Sequence, residues 1–244
     1  MLSKNQIKLI TLLKQKKYRV QHQLFVVEGV KTIKELLNSN FELAQLYTTT
    51  LNFSALDVLT TQISEAELKK ISFLKTPNTA LALFKIPKPK KIDFSKLVVA
   101  LDNVRDPGNL GTIIRLCDWF GVEDLICNEE TVDCYNPKVI QASMGSIKRV
   151  NITYVDLNNL LSERKEIKFG AFMDGDNVYK LNLPEKGIIV LGNEANGISS
   201  NIESLIEQRI SIPRFGNLQE TESLNVANAT AVLLSEFKRR LIGK

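Results

Sequence analysis

Hydrophobic and polar residues alternate in short blocks between the N-terminus and Ile86. Apolar residues at helical spacing from residue 4 to residue 16, with lysines opposite, predict an amphipathic helix. The capping-box pattern Ser64-Glu-Ala-Glu67 predicts a helix to about Ile71. Another helix is predicted from Gly29 to about Leu37, and strands are predicted over Leu24–Val27, Leu43–Thr48 and Thr79–Ile86. This succession predicts a small α/β domain.

The segment Pro87-Lys-Pro-Lys-Lys91 interrupts the pattern. Its prolines favour an extended backbone and remove hydrogen-bond donors, and its lysines favour solvent. We therefore interpret it as a linker between two domains, residues 1–88 and residues 89–244.

The pattern after the linker alternates again, with more strongly apolar strands. Leu97–Leu101 is continuously apolar, as expected of a strand covered on both faces. A helix is predicted from Asn109 to Phe120, ending at Gly121, and a last helix from Ser223 to about Leu241. Further strands are predicted at Asp124–Cys127, Lys168–Met173, Ile188–Leu191 and Arg209–Ile212. The predicted fold class is α/β, with a mostly parallel sheet and helices on both faces.

Polar loops follow three of these strands. They lie within Leu101–Arg115, Val190–Ser199 and Ile212–Ala229. Ligands of open parallel sheets bind outside the carboxyl ends of the strands. We therefore expect the three loops to meet at one pocket.

Composition excludes several classes of protein. The 244 residues are 44% hydrophobic and 24% charged, which is ordinary for a globular chain. The sequence contains no run of about 18 apolar residues, so no membrane span is predicted. The N-terminus lacks the apolar core of a signal peptide, and a cytoplasmic location is therefore expected. Three cysteines without a C-x-x-C pair, and one histidine, argue against a metal site and favour buried thiols.

Basic residues crowd the first twenty positions of a chain whose net charge is +5. No acidic residue occurs before Glu28. Such clustering suits the phosphates of a nucleic acid, but it is equally compatible with a solvated helix face. The candidates for RNA contact are Lys14, Lys16, Lys17 and Arg19.

Common nucleotide and hydrolase motifs are missing from the sequence. Neither G-x-G-x-x-G nor G-x-x-x-x-G-K-[ST] follows a predicted strand, and there is no G-x-S-x-G. His22 lies in the basic N-terminal region, so the second domain has no histidine with which to act as general base.

Together the three loops resemble motifs 1, 2 and 3 of the SpoU/TrmH family of RNA methyltransferases, within the SPOUT superfamily. The matching segments are Asn103–Arg115, Ile189–Ser199 and Ile212–Ala229, and the resemblance covers roughly residues 95 to 240. Lys16–Arg19 and Phe25–Gly29 resemble the ribosomal-protein-like substrate-binding domain common in the family.

The resemblance implies a second domain tied into a deep trefoil knot that binds S-adenosylmethionine. It also implies a homodimer whose active sites are completed by the partner chain, and methyl transfer to a ribose 2′-hydroxyl of RNA. Ribosomal RNA is the expected substrate. Transfer RNA, a base methyltransferase of a related family, and a non-catalytic RNA-binding or assembly factor remain alternatives.

The resemblance assigns catalytic roles to five residues, and each has a structural alternative. Arg115 would contact the phosphate and activate the hydroxyl, or pair with Asp118. Asn109 and Glu194 would position the arginine or the ribose, or cap helices. Ser223 and Asn225 would contact phosphate and organise the pocket, or cap the last helix.

The cofactor residues implied by the resemblance are Leu191, Gly192, Ile212, Pro213 and Leu224. Three features depart from the usual family pattern. The loop Gly216–Ser223 is long, Ala195 stands where glycine is common, and Arg214 replaces an apolar residue. We expect these departures to affect the cofactor contacts rather than the reaction.

Overall fold

The chain forms two compact units. The computed structural model describes residues 1–50, 53, 58–216 and 223–239. The first unit contains Met1–Lys88 together with Asp133–Lys148, and the second contains Pro89–Val132 and Arg149–Lys244. The segment 133–148 thus groups with the first unit. The predicted division into the continuous domains 1–88 and 89–244 does not include this exchange.

A four-stranded sheet organises the first unit. Its strands are β1 (Leu24–Glu28), β2 (Leu43–Thr48), β3 (Thr60–Gln62) and β4 (Ala80–Lys85), in the order β1-β4-β2-β3. Only the β2–β3 pair is parallel among the pairs described in this unit. The helices are α1 (Lys4–Leu12), α2 (Lys16–His22), α3 (Val30–Leu37), α4 (Glu65–Ile71) and, from the second segment, α6 (Pro137–Ser143).

The single helix predicted over residues 4–16 is wrong, because the chain forms α1 and α2 there. Gln15 has an extended backbone between the two helices. The Arg19 guanidinium donates to the carbonyl oxygens of Leu13 (2.8 Å) and Lys14 (2.9 Å). These carbonyls lie just past the end of α1, where a continuing helix would have paired them. The arginine therefore stabilises the break.

Arg19 is also a correction to the predicted RNA contacts. Its side chain is only 2% exposed, and it forms an ion pair with Asp133, to which Nε donates at 2.8 Å. A guanidinium enclosed in this way cannot reach a phosphate. Its role in the first unit is to hold the start of the segment 133–148.

A six-stranded sheet organises the second unit. Its strands are all parallel, in the order β10-β8-β9-β5-β6-β7. They are β5 (Leu97–Leu101), β6 (Asp124–Cys127), β7 (Asn151–Tyr154), β8 (Lys168–Asn177), β9 (Gly187–Leu191) and β10 (Gln208–Ser211). The helices are α5 (Pro107–Trp119), α7 (Leu157–Ser162), α8 (Ser200–Glu203) and α9 (Val226–Arg239). The predicted parallel α/β architecture is confirmed.

Helices cover both faces of this sheet. Val98, Ala100 and Ile188 pack in one apolar cluster with Leu161 of α7 and Ile202 of α8. Neighbouring strand residues point to opposite faces. On the other face, the rings of Phe169 and Phe237 of α9 meet edge to face at 5.2 Å, and α9 packs on α5.

The cysteines bear out the expectation of buried thiols. Cys117, Cys127 and Cys134 are free and buried. Burial raises the pKa of Cys117 to about 12 and also raises that of Cys127. The thiols of Cys117 and Cys127 are therefore protonated at neutral pH and act as small apolar side chains.

The Arg19–Asp133 pair gives a prediction about stability. Replacing Arg19 by Ala leaves a largely buried carboxylate without its cation and should lower the free energy of unfolding by about 3–5 kcal/mol, measured by urea denaturation. Lys17→Ala changes an exposed residue of the same helix. It should change the stability by less than about 0.5 kcal/mol. Equal effects of the two substitutions would contradict this role for Arg19.

Candidate active site

The first polar loop leads from β5 into α5. Asp106 is the N-cap of this helix, and its carboxylate accepts the backbone N–H of Asn109 at 2.8 Å. Pro107 occupies the first helical position, where no backbone donor is needed. The expectation that Asn109 caps α5 is therefore wrong. Asn109 is the third residue of the helix, and its side chain is free to make other contacts.

The Asn109 side chain joins all three polar loops. Its Nδ2 donates to Oε1 of Glu194, in the loop after β9. Its Oδ1 accepts from Nδ2 of Asn225, at 2.9 Å, in the segment after β10. One amide thus uses its donor and its acceptor on the two other loops. The three loops therefore meet through hydrogen bonds, as expected, but among the described residues only the second and third loops line the cavity beside them.

Asn225 and Glu194, the other two members of this network, differ in whether they cap a helix. Asn225 also caps α9, because its Oδ1 accepts the N–H groups of Ala227 (3.0 Å) and Asn228 (3.3 Å). Glu194 caps no helix, since Ser199 is the N-cap of α8. Its carboxylate is directed to Asn109, so the capping alternative for Glu194 is wrong.

A second set of hydrogen bonds joins the first two loops close to the strands that they follow. The buried carboxylate of Asp102 accepts from Asn128 Nδ2 at 2.9 Å and from the N–H of Ser199 at 2.7 Å. Asn193 Nδ2 donates to the carbonyl of Asn103 at 2.8 Å. Sequence reasoning did not single out Asp102 or Asn193. The signal for both was a polar residue at the carboxyl end of a buried strand.

Arg115 lies on α5, six residues beyond Asn109, which is about 9 Å along the helix axis. Its side chain is exposed, and within the described ranges it has no ion pair or hydrogen bond. The alternative partner, Asp118, accepts instead from Nε of Arg149 at 2.8 and 2.9 Å. The guanidinium of Arg115 is therefore available to an external anion.

A cavity of about 990 Å³ opens beside this network. All five predicted cofactor residues line it, and so do Glu194 and Ser223. Its walls also include Ala171, Phe172, Ile210 and Leu233. The volume lies at the upper end for small-molecule sites, and an apolar wall with few polar groups is typical of them.

Gly192 gives the wall of this cavity its close packing. Asn193 and Gly197 exchange two backbone hydrogen bonds, at 2.9 and 2.8 Å, which fold the loop back onto Gly192. A Cβ at Gly192 would overlap the carbonyl of Gly197 and the nitrogen of Ile198. Ala195, where glycine is common, donates its N–H to Asn193 Oδ1 at 2.8 Å without a positive φ. The alanine is therefore accommodated.

The chain matches two family profiles, one in each part of the sequence. A profile of the SpoU rRNA Methylase family matches residues 96–235, more than half of the chain. The chain belongs to the SpoU rRNA methylase family. In this SpoU chain, residues 4–82 match the MRM3-like substrate binding domain.

Relatives of this SpoU chain align over nearly its whole length. The 23S rRNA (guanosine(2553)-2′-O)-methyltransferase RlmP of Bacillus subtilis is 28% identical and covers 91% of this chain and 92% of its own. A TrmH-family protein of Porphyromonas gingivalis superposes with a TM-score of 0.90, at 38% identity, over 98% of this chain and 99% of that one. AdoMet-bound rRNA methyltransferase of Sinorhizobium meliloti gives a TM-score of 0.88, at 26% identity, over 100% and 97%.

The remaining predicted site residues lie in different settings. Lys14, Lys16 and Lys17 are exposed in the first unit, which the family profile associates with substrate binding. Arg214 lines the cavity, but residues 217–222 of the long loop lie outside the described residues.

Within the described ranges, no helix is long and apolar enough to cross a membrane, and no three His, Cys, Asp or Glu residues group as metal ligands.

Gly192 supplies the prediction for this part of the molecule. Gly192→Ala should lower the free energy of unfolding by at least about 2 kcal/mol, because the added Cβ displaces packed backbone. Gly216→Ala is the matched change, since a Cβ there meets nothing within 4 Å. Thermal unfolding of the two variants checks the expectation, and a Gly192→Ala protein as stable as Gly216→Ala contradicts it.

Proposed function

We propose that this SpoU protein transfers the methyl group of S-adenosylmethionine to a ribose 2′-hydroxyl of ribosomal RNA. The observation that carries the proposal is the Asn109 amide bound to both Glu194 and Asn225 beside a cavity of donor size. The name of the RlmP relative states 2′-O-methylation of 23S rRNA, and the Sinorhizobium meliloti neighbour is an rRNA methyltransferase with bound AdoMet.

The residues that line the cavity suit the donor. When bound, S-adenosylmethionine supplies an electrophilic methyl group on its sulfonium. Leu191, Ile212, Pro213 and Leu224 offer apolar contact to the adenosine, and Gly192 allows backbone groups to approach it closely. These apolar side chains also reduce the contact of the methyl group with water.

Arg115 is the candidate for activating the ribose. A ribose hydroxyl is a weak nucleophile because its proton is tightly held, so transfer requires an aligned oxygen and stabilised negative charge. A guanidinium is not a base in proteins, since its pKa is above about 12. In the proposed role, Arg115 binds the adjacent phosphate and stabilises the charge that develops on the oxygen.

Glu194, Asn109 and Asn225 act as one hydrogen-bonded unit in this proposal. Asn109 fixes the rotamer of Glu194, whose remaining acceptor positions can orient the ribose. Asn225 holds Asn109 and at the same time caps α9. Ser223 lines the cavity and is the candidate for contact with the substrate phosphate.

The proposal extends to a trefoil knot and a homodimer. The superposition on a TrmH-family structure at a TM-score of 0.90 supports the knot that the family resemblance implies. Trp119, at the end of α5, is 84% exposed in the single chain, which supports burial against a second copy. In the dimer, Arg115 of one protomer serves the site of its partner.

The first unit, residues 1–88 with 133–148, is proposed to bind the RNA through Lys14, Lys16 and Lys17, and the second unit is proposed to carry out the transfer. A ribosomal substrate suits a cytoplasmic enzyme. Transfer RNA has weaker support, because a tRNA-modifying TrmH/SpoU structure of A. aeolicus aligns with only 59% of this chain, at a TM-score of 0.50.

The product of the reaction tests the proposed function. The purified protein, incubated with methyl-labelled S-adenosylmethionine and unmodified ribosomal RNA, should produce label in alkali-resistant dinucleotides. A 2′-O-methyl group resists alkali because it removes the hydroxyl that attacks the neighbouring phosphodiester. Label in mononucleotides would indicate a base methyltransferase, and binding of RNA without transfer would indicate an assembly factor.

Removing the Arg115 guanidinium should lower kcat by at least about a hundredfold, because charge on the reacting oxygen is left unstabilised. The dissociation constant for S-adenosylmethionine, measured by calorimetry, should stay within about twofold of the wild-type value in Arg115→Ala. Arg115→Lys retains charge without the bidentate geometry and should recover only part of the rate. A fully active Arg115→Ala enzyme removes this residue from the mechanism.

Mixed dimers test whether Arg115 acts across the interface. Arg115→Ala and Glu194→Ala protomers, each inactive alone, should regain about a quarter of the wild-type activity after random mixing, since half of the dimers then carry one intact site. Continued inactivity of the mixture would assign both residues to the same protomer's site.

Asn109→Asp should lower kcat at least about tenfold. The change replaces the donor to Glu194 by a second carboxylate, which repels it. Asn159→Asp is the matched control, because Asn159 Nδ2 donates to Asp156 at 2.7 Å on α7 of the same unit. The control should keep its rate, and single-turnover methylation measures both variants. Equal rates would show that the Asn109–Glu194 contact is dispensable.

A further inference from the structure

Residues Ala171–Gly175 form a bulge in β8 beside the cavity. In the parallel ladder, Arg209 of β10 pairs with Gly170, and the next residue, Ile210, pairs with Asp176. Five residues of β8 therefore have no counterpart on β10. Three of them, Ala171, Phe172 and Met173, line the cavity proposed for the methyl donor.

Two glycines allow the bulge to fold against its own sheet. A Cβ at Gly170 would lie 2.5 Å from the ring of Phe172, and a Cβ at Gly175 would lie 2.6 Å from the backbone of Ile210. Glycine at both ends thus lets the Phe172 ring and the β10 backbone pack closely. The spacing Gly170-Ala-Phe-Met-Asp-Gly175 encodes the shape of this wall.

Arg209 fastens the bulge from outside the cavity. Its Cζ lies 3.6 Å from the centroid of the Phe172 ring, and its Nη2 donates to Asp174 Oδ1 at 2.5 Å. Its Nη1 donates to Glu203 of α8. The hydrogen bond from Arg209 lowers the pKa of Asp174. One planar cation therefore contacts two residues of the bulge and one residue of the neighbouring helix.

We propose that Arg209 is a positioning residue for the methyl donor, and that it acts by holding Phe172 and Met173 in the cavity wall. The inference rests on the proposed function, which makes the ligand S-adenosylmethionine. Arg209 does not itself line the cavity, so it reaches the ligand only through the bulge. Its ion pairs are partly exposed and contribute little to global stability. The contacts of Arg209 with Phe172, Asp174 and Glu203 therefore act mainly by ordering the pocket before the donor binds.

The expected result is a loss of donor affinity without a matching loss of stability. Without the guanidinium, the bulge must be ordered when the donor binds, and this ordering weakens binding. Arg209→Ala should raise the dissociation constant for S-adenosylmethionine about tenfold, measured by calorimetry, with the melting temperature nearly unchanged. The KM for the donor should rise, while kcat at saturating donor stays within about twofold.

Three further substitutions separate the contacts of Arg209 with the bulge from a general effect of the arginine. Arg209→Lys keeps the charge but lacks the flat guanidinium, so it should restore only part of the donor affinity. Phe172→Leu removes the ring that Arg209 contacts. In the double variant with Arg209→Ala, donor binding should therefore be weakened by less than the product of the two single effects. Asp174→Asn keeps the arginine and removes the charge of an exposed partner, so the affinity for the donor should fall about threefold. This variant tests the contact even if Arg209→Ala does not fold.

Lys96→Ala is the matched control. Lys96 also binds two carboxylates, Asp93 at 3.9 Å and Glu123 at 2.8 Å, but it precedes β5 and does not line the cavity. Its donor affinity should equal that of the wild type. Normal donor binding by Arg209→Ala, or equal weakening in Lys96→Ala, overturns the inference alone. A wild-type protein that binds no S-adenosylmethionine overturns the proposed function and this inference together.

Discussion

The arrangement of the three polar loops depends on the placement of one primary amide. Asn109 donates to a carboxylate on one loop and accepts from an amide on another, so its two functional atoms set the positions of Glu194 and Asn225 together. This is possible because Asp106 caps α5 and leaves the Asn109 side chain unengaged by its own helix. The buried Asp102 carboxylate and the glycine at position 192 then fix the loops beneath it.

This arrangement explains how long, polar loops can be held in fixed positions. Loops that leave strand ends are usually the variable part of an α/β protein. Here each one is tied to a neighbour by a side-chain amide or carboxylate, and each follows a strand of the parallel sheet. The hydrogen-bonded groups of the loops are therefore held close to the sheet, while the Arg115 side chain is exposed. Under the proposed function, an ordered donor site and an exposed arginine suit an enzyme whose second substrate is a large RNA.

The sequence predicted those features that depend on local pattern. The bounds of β2, β5 and β6 followed from continuous or alternating apolar runs, and the capping box at Ser64 fixed the start of α4. The short strand β3 and the half-buried β7 escaped, because three or four mixed residues give no clear period. The last helix begins at Val226 rather than Ser223, since Asn225 takes the cap. The bulge in β8 is a property of register, which a single strand cannot reveal. All five predicted cofactor residues line the cavity, because the motif resemblance carried information that periodicity lacks.

The largest error, at Arg19, came from counting charge without its partner. Asp133 lies 114 residues further along the chain, within a stretch that separates β6 from β7 yet packs with the N-terminal sheet. The N-terminal unit is consequently not a detachable module. A fragment ending at the proline–lysine linker would retain a buried guanidinium while losing the anion that neutralises it. Exchanging recognition units between related methyltransferases would thus require the stretch 133–148 to be transplanted along with residues 1–88.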